Sequence, residues 1–173
     1  MTSSLYDTCV PSYLQTLGAL KGVLAKGEQY ASENGIDVGE ICGYRLRDDM
    51  APFTFQVVSV WHHSKGAIEG LKKGEFTPPP KLGDLTYEQL QGLVQEAMDS
   101  LQAESRETID ALAQEPLTFK VGDSQIPFVA SDFIQSFSLP NFYFHATTTY
   151  VALRELGVPL GKMDYLGQLR VNM

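Results

Sequence analysis

Apolar residues recur three to five positions apart along the first thirty residues, at Leu5, Val10, Leu14, Leu17, Leu20, Leu24 and Tyr30. That spacing follows the turn of an α-helix and does not fit the two-residue alternation of a half-buried strand. A helix of this length, from about Ser4 to Glu33, carries a stripe that only packing against other elements can bury. Pro11 within it predicts a late start or a kink, and Asn34-Gly35 a stop.

Three later segments repeat the pattern. After a connection from Ile36 to Met50, Pro52 suits the first turn of a second helix. Phe53, Val57, Val60, Trp61, Ser64, Ile68 and Leu71 share one face of it; Gln56, His63 and Ala67 lie on the flank, and His62 points further round. Gly74 and the stiff triplet Pro78-Pro79-Pro80 end it. Thr86 and Gln89 form a capping box that opens a third helix, whose stripe runs through Leu90, Leu93, Val94, Ala97, Leu101, Ile109 and Leu112. Its outer face, with Glu88, Glu96, Asp99, Glu104, Glu107 and Asp110, reads as a solvated acidic surface.

Leu117 to Val121 and Ile126 to Val129, joined through Gly122-Asp123-Ser124-Gln125, predict a small β-hairpin with Pro127 at an exposed edge. Ser131-Asp132 offers caps for a fourth helix reaching about Leu156, kinked near Pro140 and closed by Gly157 and Pro159. The tail from Leu160 to Met173 is expected to drape over the rest. The expectation is an all-α chain: one domain over residues 1–173, a four-helix bundle with a minor β-hairpin before the last helix.

At 173 residues the chain is long enough for a core without covalent staples. A net charge of −8 argues against nucleic acid and against anionic membrane surfaces, since both need clustered Lys and Arg. No apolar run approaches the roughly 20 residues of a membrane span. The N-terminus lacks the basic start and apolar segment of a secretory signal, which predicts a cytoplasmic protein. Cys9 and Cys42 have no metal-ligand spacing and read as small, reduced, partly buried side chains.

Chemistry concentrates in few residues. Leu139-Pro140-Asn141-Phe142-Tyr143-Phe144-His145 sets Asn141 and His145 four apart, on one helix face, among aromatics. The pair is either half of a metal or substrate site or a hydrogen-bonded polar pair in the core. The other histidines, His62 and His63, lie in the middle of the second helix, where they can meet the fourth across a bundle. Zinc or nickel would be bound by His145 and by His63 or His62, but a third ligand is hard to find; Asp7, Asp49 and Glu69 serve only if the fold brings them close. Adjacent helix positions cannot both face inward, so one of His62 and His63 is expected at the surface, and the wheel favours His63 inside. Phe133, Phe137, Phe142, Tyr143 and Phe144 pack a core or line an apolar pocket. There is no Gly-rich phosphate loop, GxSxG elbow or HExxH.

With Tyr6-Asp7, Val10-Pro11, Lys65-Gly66-Ala67, the LPNFYFH string and Gly157-Val158-Pro159-Leu160-Gly161-Lys162, the chain resembles the DinB/YfiT-like superfamily, and within it a branch known as a domain of unknown function. The resemblance implies a bundle in up-down-down-up order, often a homodimer. It also implies a divalent metal held by one histidine of the second helix and an HxxxH pair of the last. His145 matches the second histidine of that pair, Asn141 stands where the first would be, and His63 or His62 matches the second-helix ligand. Metal-binding members include thiol-dependent transferases and hydrolases, and this branch has no activity to carry over.

Two functions follow as expectations. One is a small-molecule enzyme of isomerase, hydrolase or transferase type, with His145, His63 and Tyr143 catalytic and Asn141, Gln56, Trp61 and Asp49 binding the ligand. The other is a non-catalytic dimeric bundle that binds a small apolar ligand or a partner protein.

Overall fold

The structure, a computed structural model, describes residues 4–171. The outermost ends of the N-terminal segment and of the tail lie outside the described residues. Helix α1 (Leu5–Asn34) begins where Ser4 Oγ accepts the Asp7 amide and ends at Gly35, whose φ of 66° is left-handed. Pro11 lies inside this helix and does not delay its start. The connection that follows contains a short helix, α2 (Val38–Gly43), capped by Asp37.

The expected second helix is a composite rod. α3 (Phe53–Trp61) leads into a π turn at His62–Gly66, and α4 (Ala67–Lys73) follows. The expected third helix divides. α5 (Tyr87–Gln102) carries the foreseen Thr86–Gln89 capping box, but a second helix, α6 (Arg106–Ala111), starts afresh where Ser105 Oγ accepts the Thr108 amide. The stripe continues across the break because Leu101 and Ile109 are both fully buried. Apolar spacing alone therefore concealed a cap that competes locally with the helix.

Strands β2 (Pro116–Val121) and β3 (Ser124–Val129) pair antiparallel, with Pro127 opposite Thr118 on the outer strand. A two-residue strand, β1 (Glu75–Phe76), adds itself parallel to β2, too short to leave an alternation signal in the sequence. The last long segment is again composite: α7 (Ala130–Phe133), a π turn at Ile134–Ser138, and α8 (Leu139–Glu155). It starts at Ala130, with Val129 at the cap position, ahead of the caps expected at Ser131-Asp132. The irregular turn directly precedes Pro140, which has no N–H to give to the turn before it. In the tail, α9 (Lys162–Leu166) lies on α1, held by Gln15 Nε2 on the Leu166 carbonyl (2.9 Å) and by Lys26 on Asp164 (2.6 Å).

The chain is mostly helical with one small three-stranded sheet. α3 packs on α8 and α5, and α1 on α5, α8 and α9. Tyr13, Leu17, Leu24, Phe53, Val57, Leu90, Val94, Phe142 and Leu153 fill the space between them. Among the described residues no helix is long and apolar enough to cross a membrane.

Candidate functional site

Gln56 stands in the first turns of α3, where its Nε2 donates to the Ala51 carbonyl (3.0 Å). That bond fixes which end of the amide is oxygen. Oε1 therefore faces α8 and accepts from His145 Nδ1 at 2.8 Å. The network assigns His145 the tautomer with hydrogen on Nδ1 and a lone pair on Nε2. Nε2 has no partner and keeps solvent contact, because among the described residues the only fully buried unpartnered side-chain N or O atom is His63 Nδ1. Phe55 and Phe144 set ring edges against the imidazole at 5.7 and 5.2 Å between centroids.

His63 comes to the same place from the π turn. Its ring lies nearly parallel to that of His145, 6.1 Å away at 14°, with Phe137 at 5.6 Å and Phe76 at 5.5 Å. Its orphaned Nδ1 is better left as a bare acceptor than as a buried N–H, which puts the hydrogen on Nε2. His145 thus offers an acceptor and His63 a donor. The π turn carrying His63 is tied across the core: Tyr13 donates to Ser138 Oγ (2.7 Å), and Ser138 donates to the His63 carbonyl (2.6 Å).

Burial disfavours the charged form of both rings. It holds His145 down to about 4. His63 falls to about 3, first through burial and then through the neighbouring His62 and His145. At neutral pH both are uncharged.

The expectation that one of His62 and His63 lies at the surface is corrected: both are 7% exposed. The wheel allowed one buried face, but β1 and Thr77 cover a second one. There His62 stacks on Phe76 (4.5 Å) and its Nε2 donates to the Thr77 carbonyl (2.7 Å). The remaining candidates separate from the imidazole pair. Asn141 sits one turn before His145, but its Nδ2 donates to the Phe137 carbonyl of its own helix (2.7 Å). Tyr143 is exposed on α8 with its ring against Phe142. Trp61 faces α5, its indole N–H on Glu96 (3.2 Å) and Lys65 over its ring. Asp49 is exposed ahead of α3.

Among the described residues no three His, Cys, Asp or Glu side chains converge to hold a metal ion. His62 is committed elsewhere, Asp7 is clamped by Arg106, and Glu69 pairs with Lys65. Two imidazoles with an amide at position 141 fall short of the three protein ligands of a catalytic zinc site. Sequence reasoning missed Phe55, Tyr13 and Ser138. Phe55 sits off the apolar face, and Ser138 acts through a backbone carbonyl, so neither leaves a pattern to find.

A mostly helical chain with a small three-stranded sheet is consistent with a DinB-like fold. The crystal structure of a DinB family member protein from Shewanella denitrificans is similar to it: TM-score 0.81 at 25% identity, over 98% of this chain and 95% of the other. Residues 5–166 match the family described as a domain of unknown function, DUF1993, and the chain belongs to that family. No curated protein matches it.

Proposed function

We propose that this DUF1993 chain is a small-molecule enzyme whose working group is neutral His145, oriented by Gln56 and paired with His63. The observation that carries this reading is the Ala51–Gln56–His145 relay, which fixes the tautomer and leaves Nε2 as an acceptor with solvent access beside the Phe55 and Phe144 rings. Such a nitrogen takes a proton from a bound molecule while His63 Nε2–H steadies developing negative charge. An imidazole held near 4 gives that proton back readily. This favours isomerase-type shuttling within one molecule over hydrolase or transferase chemistry, and no step runs through a metal.

The neutrality of both rings also supports a second reading, a non-catalytic site that hydrogen-bonds a small apolar ligand. The long helices are taken to form the up-down-down-up bundle. The protein is taken to act as a cytoplasmic homodimer, in keeping with two buried free thiols and an exposed apolar face on α8.

The test is a screen of small apolar molecules against protein with labelled histidines, in wild type and His145→Ala. Ligands that move the His145 and His63 signals, bind only the wild type and change chemically support the enzyme. Binding without product supports the second reading. Equal binding to a His145→Ala variant of unchanged melting temperature would sink both.

A further inference from the structure

His62 takes no part in the site at His145. It forms the wall of a separate groove of about 390 Å³ between the π turn, α4 and residues 75–80, a volume suited to a small molecule. Trp61 and Pro80 supply apolar surface there. Because the Thr77 carbonyl accepts, His62 Nε2 carries the hydrogen and Nδ1 is an acceptor. Nδ1 has no partner and is not sealed off, although the residue is 93% buried (7% exposed). Gly66 keeps it open, since a Cβ at that position would stand 2.8 Å from Nδ1.

Both carboxylates lining the groove are engaged by lysines, which leaves its own ammonium to meet a ligand. Glu69 is paired with Lys65 (2.8 Å), a lysine it shares with Glu96 (3.3 Å), and Glu75 with Lys120. Lys73, the third charged residue lining it, has no ion-pair or hydrogen-bond partner among the described residues. One ammonium without an ion-pair partner, one recessed acceptor and one aromatic wall make a specific combination. We infer that the groove beside His62 is a second ligand site, for a small planar organic anion with a hydrogen-bond donor, such as a hydroxyaryl or indolyl carboxylate. The anion meets Lys73, the donor meets His62 Nδ1, and the ring lies against Trp61 and Pro80. The site is independent of the chemistry proposed at His145.

The probe is 4-hydroxyphenylacetate, titrated into the full chain with ¹⁵N-labelled histidines and followed by imidazole correlation spectra. A saturable shift at His62 Nδ1, with His145 unmoved, is expected. Lys73→Gln, on an exposed side chain, should weaken binding by about two- to fivefold, the worth of one exposed ion pair. Phenylacetate, which lacks the donor, should leave His62 Nδ1 unshifted. Gly66→Ala keeps His62 and suits a helix, yet should abolish the shift by blocking Nδ1. No movement at His62 up to about 10 mM, tenfold above a millimolar dissociation constant, overturns the proposal. So does binding undiminished by Lys73→Gln, which decides the matter if the Gly66→Ala chain does not fold.

Discussion

His145 meets a neutral amide at the place where the histidine of a catalytic triad meets a carboxylate, and that difference sets its affinity for protons. Gln56 orients the ring but adds no charge to stabilise an imidazolium. Replacing Gln56 with Glu should lift His145 from about 4 to 6.5 or above, because the added carboxylate would sit 2.8 Å from Nδ1. Losing the bond to Ala51 should cost about 1–3 kcal/mol of stability. An NMR titration of the ring reads the shift directly, and a His145 still titrating near 4 would show that the contact does not hold in solution.

The native imidazoles also make stability depend on pH. Their folded pKa values lie below the unfolded value near 6.5, so between about 6.5 and 4 for His145, and down to about 3 for His63, the unfolded chain binds more protons. Stability is therefore full above that window and falls as pH drops through it, by about 1.4 kcal/mol per unit for each ring that stays neutral in the folded state. Urea midpoints at pH 7 and pH 5 should differ accordingly, and His63→Phe should flatten the difference. An equal slope in that variant would contradict the assignment.

At the scale of the elements, the two π turns are one device. A π turn loosens the regular ladder, and the hydroxyl of Ser138, in one turn, takes up the carbonyl of His63 in the other. Ser138→Ala leaves that buried carbonyl and the Tyr13 hydroxyl without their partner, which should cost about 1–3 kcal/mol. It should also shift the His63 signals and speed amide exchange across residues 62–66. A loss of stability with those signals unchanged would make Ser138 a core residue and nothing more. The same turns mark where the sequence was legible. Leu17, Leu24, Val57, Leu90 and Val94 sit in the core because a 3.6-residue period reports burial well. The Thr86–Gln89 box and the hairpin were readable because caps and turns are local chemistry. The π turns, the Ser105 cap and β1 were not, since each is decided by a partner far along the chain or by a competition too short to leave a period. His145 and His63 could be chosen from the sequence, and Gln56 placed nearby. Only the structure turns its amide oxygen toward the ring.

For the whole molecule, the charge and the exposed apolar surface pull in opposite directions. A net charge of −8 keeps copies apart at long range, yet α8 shows Tyr143 at 39%, Phe144 at 58% and Val151 at 40% exposure, beside Leu46 and Pro140. A contiguous apolar face next to the imidazole pair is what a homodimer through α8 would bury, and such an interface needs about 1,000 Å² or more in total. Val151→Lys tests this without touching the site, because Val151 lies on the patch and makes no ring contact with His145. A lysine there would have to be buried without a partner at the centre of an apolar contact. Dimerisation should weaken by about ten- to a hundredfold, the effect of about 1.4–3 kcal/mol. Sedimentation velocity across a concentration series reads it. Raised salt should strengthen the wild-type dimer, because it screens the repulsion while leaving apolar burial in place. A wild type that stays monomeric throughout removes the dimer. A Val151→Lys chain that dimerises as well as the wild type moves the interface off α8.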